Sequence, residues 1–122
     1  MKNKNLSPDV WLKDPEEHDY PAAVDYLELV VTREKAETWS NELKGVSTIK
    51  KKAKDILRAS RLPLLPKDNI HVKKNIKKVK NGEKLSPVLL VRHDSLIIAD
   101  GYHRVCAIYY LSEDLEIPCR LV

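Results

Sequence analysis

Between Leu96 and Leu111 the chain changes its conformational period within two residues, and this switch constrains the fold more than any other stretch. Leu96-Ile97-Ile98-Ala99 is a short apolar run with two isoleucines, Asp100-Gly101 is a turn pair, and Tyr102 to Leu111 follow helical spacing. The pattern predicts a strand that turns sharply into a helix. Such a turn aims the unpaired N–H groups of the first helical turn, and the positive end of the helix dipole, at whatever lies beyond the strand. That is an anion site by construction. Gly101 would let the backbone approach a ligand, His103 and Arg104 would add donors, and Asp100 would offer a carboxylate to a metal ion, a hydroxyl or a ribose. The same five residues also read as an N-cap aspartate, a turn glycine and an exposed basic pair.

The rest of the chain supplies partners for this unit. Pro87–Val91 and Leu96–Ala99, joined by Arg92-His93-Asp94-Ser95, read as a hairpin. Glu116–Val122 reads as a final strand whose Pro118 suggests an edge or an end position. Residues 1–20 show no sustained period and read as an irregular arm anchored by Trp11, with Pro21 at the first position of a helix carrying Ala22, Val24, Tyr26, Leu27, Leu29 and Val30. Thr32 caps a second helix over 33–44, with Ala36, Trp39 and Leu43 on one stripe and Gly45 as its stop. Val46–Lys50 alternates like a strand, and Ala53, Ile56 and Leu57 make a short helix that ends before Pro63. Two prolines keep Leu62–Pro66 extended. Lys67-Asp68-Asn69 then opens a helix with Val72, Ile76 and Val79 inside and Gly82 as its stop. The expected fold is α/β (α+β): a small mixed sheet with flanking helices, preceded by an N-terminal helical pair. A length of 122 residues fits one domain, with an arm and helices over 1–45 and a core over 46–122.

Composition bounds the partners. Hydrophobic residues at 43% and charged residues at 33% describe a soluble globular chain with no apolar run long enough to span a membrane. The Met-Lys-Asn-Lys-Asn start has no apolar segment behind it, so the expected location is cytoplasmic. Cys106 and Cys119 lack metal or C-x-x-C spacing and read as small buried hydrophobes. The net charge of +4 mildly favours phosphate-bearing partners. Its distribution is uneven, because between Lys44 and Lys84 the only acids are Asp55, Asp68 and Glu83. Lys73, Lys74, Lys77, Lys78 and Lys80 share a helix, a nucleic-acid signal by charge. The helix has no interleaved aromatics and no helix-turn-helix partner, so a solvated face is the favoured reading and any nucleic-acid binding is expected to be weak.

Asp100-Gly101-Tyr102-His103-Arg104, preceded by Pro-Val-Leu-Leu-Val at 87–91 and followed by Ala107, resembles the signature of the ParB N-terminal domain and sulfiredoxin superfamily. The likeness covers roughly Leu62 to the end. ParB proteins carry Gly-Glu-Arg-Arg and bind a cytidine nucleotide, sulfiredoxins carry Gly-Gly-Cys-His-Arg with a catalytic cysteine, and ParB-like free-serine kinases carry Asp-Gly-His-His-Arg. This chain is similar to the last at four of five positions, with Tyr102 in place of the first histidine. Sulfiredoxin chemistry needs a thiolate where this chain has tyrosine. The resemblance implies a nucleotide, ATP, ADP or CTP, bound with Mg²⁺ at the turn through Gly101, Tyr102, His103 and Arg104, with Asp100 as metal ligand. For phosphoryl transfer to a small molecule, Asp100 and His103 would be the catalytic pair. The alternative is a nucleic-acid-associated or regulatory module without catalysis.

Three further groups bear on the site. His71, near the start of the lysine-bearing helix, would join the ligand only if that helix end converges on Gly101. Lys54, Arg58 and Arg61 have helical spacing and would line one side of a pocket. Glu16-Glu17-His18-Asp19 has metal-like composition, but four adjacent side chains are not expected all to face one ion, and the stretch reads as an exposed turn.

Overall fold

In chain order the elements are α1 (Asp19–Leu27), α2 (Arg33–Gly45), β1 (Ile49–Lys52), α3 (Ala53–Ser60), α4 (Ile70–Lys80), β2 (Val88–Arg92), β3 (Leu96–Asp100), α5 (Tyr102–Leu111) and β4 (Glu116–Leu121), in a computed structural model that describes residues 10–122. The chain is a mixed α+β fold, five helices flanking one four-stranded sheet. The lysine-bearing start and the first part of the expected arm lie outside the described residues.

Local chemistry accounts for most boundaries. Thr32 Oγ1 accepts the Lys35 N–H at 3.2 Å and starts α2, which buries Ala36, Ser40 and Leu43. Asn69 Oδ1 accepts from the His71 and Val72 N–H groups at 2.9 and 3.1 Å and starts α4, which buries Val72, Ile76 and Val79. Gly82, at φ +80°, lies just beyond that helix. α3 ends instead on Arg61, at φ 60°. A side chain in that left-handed position costs roughly 1–2 kcal/mol. The largest departures from the expected boundaries are in α1, which begins at Asp19 with Pro21 third in its first turn, and β1, which spans Ile49–Lys52 rather than Val46–Lys50.

The sheet order is β1-β4-β2-β3. β2 and β3 form the expected antiparallel hairpin, with an irregularity between Leu89 and Leu90. β4 runs parallel to β2 and antiparallel to β1. β4 is therefore internal, and of the edge or end position expected from Pro118 the register gives the end: the proline lies just before pairing with β2 begins. The proline is tolerated because pairing with β2 begins only at Cys119, so Pro118 faces a partner, Lys50, on one flank alone.

Helices cover both faces of the sheet, and β2 shows the division residue by residue. Val88 and Leu90 join the core formed with α3, α4 and α5, whereas Leu89 and Val91 join the core formed with α1 and α2. All four are at most 1% exposed. Burying an aliphatic side chain this completely contributes about 1.5–3 kcal/mol each, which explains a continuous apolar run where a one-sided strand would alternate. The helical pair at 19–45 is thus the cover of one sheet face. Trp11 is half-buried against the other core, and its segment bridges Leu85 through Leu12 N–H to Leu85 O and Leu85 N–H to Val10 O, both 2.8 Å. No helix is long and apolar enough to cross a membrane among the described residues.

Candidate functional site

β3 delivers Asp100 to the end of the sheet, Gly101 turns the chain, and α5 leaves with Tyr102 as its first residue. The turn requires glycine twice over. Gly101 has φ +110°, and a Cβ there would stand 2.9 Å from both Val88 Cβ and Arg104 Nη2 while overlapping Val88 Cγ1. With glycine as N-cap there is no side-chain cap, so the first-turn N–H groups of α5 are left for solvent or a ligand.

The turn borders a cleft of about 370 Å³ lined by Asp100, Gly101, Tyr102 and His103, with Ala22 and Tyr26 from α1 and Leu62 from the extended segment. His71 is close by: its ring centroid lies 4.9 Å from that of His103. The first turns of α4 and α5 therefore converge, the condition on which a role for His71 depended. His103 is held below the ordinary histidine range by burial first, then by the His71 and Arg104 charges. Near neutral pH it offers a neutral imidazole.

Tyr102 and Arg104 are turned toward the protein. The Tyr102 hydroxyl donates to the Pro63 carbonyl, and Tyr110 donates to the Leu65 carbonyl at 2.6 Å, so two α5 tyrosines pin the extended segment 62–66 to the helix. Arg104 Nη2 donates to Asp100 Oδ2 at 3.0 Å and to the Pro87 carbonyl at 3.3 Å. Its Nε is buried without a partner among the described residues. The guanidinium thus bolts the turn to the start of β2, whereas the sequence had suggested a group directed at phosphate.

Asp100 carries a neighbour that no spacing in the sequence signals. Burial raises its pKa, Arg104 opposes that, and Asp19 from the start of α1 adds to the rise. Asp19 is 2% exposed and accepts from Ser86 Oγ and from the Glu16 N–H at 2.9 Å. A tight turn, Asp19 N–H to Glu16 O at 2.9 Å, also gathers Glu16, His18 and Asp19 ligand atoms within 4.8 Å. Three of the four meet because the backbone folds back on itself, and Glu17 is not among them; the buried Asp19 departs from the exposed turn expected here. A divalent ion at Asp100 does not fit this arrangement, since the carboxylate is already neutralised by a guanidinium 3.0 Å away and Asp19 is committed to Ser86 and Glu16.

Lys54, Arg58 and Arg61 line a groove with Leu57, Leu62, Leu64 and Tyr109, and not the cleft at the Gly101 turn whose side they were expected to form. Cys106 and Cys119 are fully buried free thiols, and burial pushes Cys119 up to about 11. No family model matches this chain, and no curated protein or solved structure does either.

Proposed function

We propose that the chain binds a nucleotide or another phosphate ligand at the Asp100–Arg104 turn, as a ParB/sulfiredoxin-like domain would. The observation that carries this reading is the 4.9 Å approach of His71 to His103, which brings the first turn of α4 against the uncapped first turn of α5. Two helix N-termini sum their dipoles at one mouth, and a bound anion finds free N–H donors on α5. His71 and His103 flank it, Gly101 permits close backbone approach, and Asp100 and Arg104 hold the turn in shape. Tyr26 and Leu62 offer an apolar wall to a base. Phosphoryl transfer would need Asp100 freed from Arg104, so binding is the function proposed.

A nucleotide panel (ATP, ADP, CTP) screened by thermal shift, with and without Mg²⁺, tests the reading. Ligand at about 100 times its Kd adds roughly 2.7 kcal/mol, a shift on the order of 10 °C for a chain of this size. Binding is expected without Mg²⁺ and to strengthen from pH 8 to pH 6, because an anion beside His103 opposes the burial that holds its imidazole neutral. His103→Gln should weaken that pH dependence. No shift with any nucleotide or with inorganic phosphate at either pH would refute the proposal.

A further inference from the structure

A groove of about 640 Å³ runs along the β1 side of the sheet, lined by Trp11, Lys13, Lys50, Lys84, Asp114 and Glu116 together with neighbouring backbone and apolar groups. The groove of Lys54, Arg58, Arg61 and Tyr109, about 360 Å³, continues it. The two share one ion pair: Lys54 Nζ, in the second, lies 2.8 Å from Asp114 Oδ1, in the first. Lys52 bridges the same point, its charge joining the Lys54 hydrogen bond and charge in holding the Asp114 carboxyl below its ordinary value. Cations therefore line both grooves, and the Lys54–Asp114 pair joins the two.

Two of the acids beside this row are spent, while Glu116 has no cation within 4.0 Å among the described residues. Asp114 is paired with Lys54, and Asp55 with Arg58 at 3.3 Å. Lys13, Lys50, Lys84 and Arg61 are exposed and have no acidic partner within 4.0 Å among the described residues. Each groove also holds one half-buried aromatic ring. Trp11 is fixed by its bridge to Leu85, and Tyr109 by an edge contact with Tyr110 at 6.4 Å.

We propose that this track binds single-stranded nucleic acid, with phosphates on the cations and bases against Trp11 and Tyr109. The residues come from the arm, β1, α3 and α5, so the alternation of charge and ring exists only in the fold. Cations interleaved with aromatic platforms are what an unpaired strand needs, since its bases are free to stack. A duplex has its bases already stacked, and an acidic peptide satisfies the cations while leaving both rings without a flat partner. The α4 lysine face, by contrast, has charge and no aromatic ring beside it. The site is separate from the α5 turn and does not depend on nucleotide binding there.

The test uses the full chain with Trp39→Phe, which leaves Trp11 as the sole tryptophan. Oligothymidylate and oligouridylate of about 12 nucleotides, within the range of one such site, are titrated at several salt concentrations. Saturable quenching of Trp11 is expected, with affinity falling as salt rises by about 0.7 log units per log unit of salt for each cation engaged. Lys50→Gln with Lys84→Gln, both exposed and without an acidic partner among the described residues, should flatten that slope by about 1.4 and weaken binding roughly tenfold at low salt. Lys73→Gln with Lys77→Gln should leave it unchanged. Absence of binding at low salt would overturn the proposal, as would equally tight binding of a duplex or of polyglutamate, or a larger loss from the α4 pair than from the track pair. Circular dichroism of each variant checks that the fold is intact.

Discussion

Arg104→Ala should destabilise the protein by roughly 2–3 kcal/mol at pH 7, and most of that loss should return on acidification. The arginine makes one charge-assisted bond to Asp100 and one to the Pro87 carbonyl. Its side chain is 17% exposed and that of Asp100 18%, so the pair is neither a surface bridge worth a few tenths nor a dry one. Losing a hydrogen bond to a charged group costs about 1.5–3 kcal/mol, and fully breaking a buried pair 3–5, so partial exposure points to the lower part of the combined range. The pH dependence follows from Asp100, whose pKa is already raised in the folded state by burial. A carboxyl with a raised folded pKa favours the fold most below its unfolded value and loses that contribution as pH rises through the folded one. Without Arg104 the folded pKa rises further, so the variant should be penalised at pH 7 and recover toward wild type as pH falls through the carboxylate range. Urea unfolding of both proteins at pH 7 and at pH 4.5 measures this, with Asp100→Asn/Arg104→Ala as the control that removes the stranded charge. Equal stability of wild type and Arg104→Ala at pH 7, or a loss unchanged by pH, would show that the ion pair does not hold the turn.

Gly101→Ala should cost about 2–4 kcal/mol by thermal unfolding, combining a left-handed φ with a Cβ pressed against Val88 and Arg104, and an unchanged midpoint would contradict the close approach. Cys106 and Cys119 should resist a thiol reagent in the native state and react on unfolding, because both are fully buried and burial raises their pKa values; rapid native labelling would mean that the core opens there. Duplex DNA should bind weakly and without sequence preference at physiological salt, since the exposed α4 lysines supply charge without base-reading groups, and a titration that discriminates two duplexes would refute this.

What could be read in the sequence was local. Thr32, Asn69 and Gly82 act as caps or stops where composition placed them, and the Leu96–Leu111 switch is a strand, a glycine turn and a helix. Those signals live within a few residues of the elements they control. Pro118 pointed to an edge or an end, and only the register, which no local rule contains, decides for the end, since the proline is unpaired on the β2 flank of an internal strand. Arg104 was legible as a member of the turn but not in its direction, because its acceptor at Pro87 belongs to another strand. Asp19 and Ser86 meet across 67 positions of sequence, and no spacing signals that they do. The ring of Trp11 beside Lys50 and Lys84 is of the same kind.

The sheet order also sets a timetable for the growing chain. β1 reaches the rest of the sheet only through β4, and β2 needs β4 to complete its second flank. As a ribosome releases the polypeptide, the β2–β3 hairpin can form early, but Ile49 has no sheet partner until Cys119 has emerged. Closing so long a loop is entropically slow, and the strand that closes it is the last of the nine elements to be made. Until β4 has emerged the nascent chain therefore presents the unfinished edge of β1 and, once it is made, that of β2, and the lysines at Lys50, Lys51 and Lys52 give the earlier of them a charge that discourages pairing with a stranger.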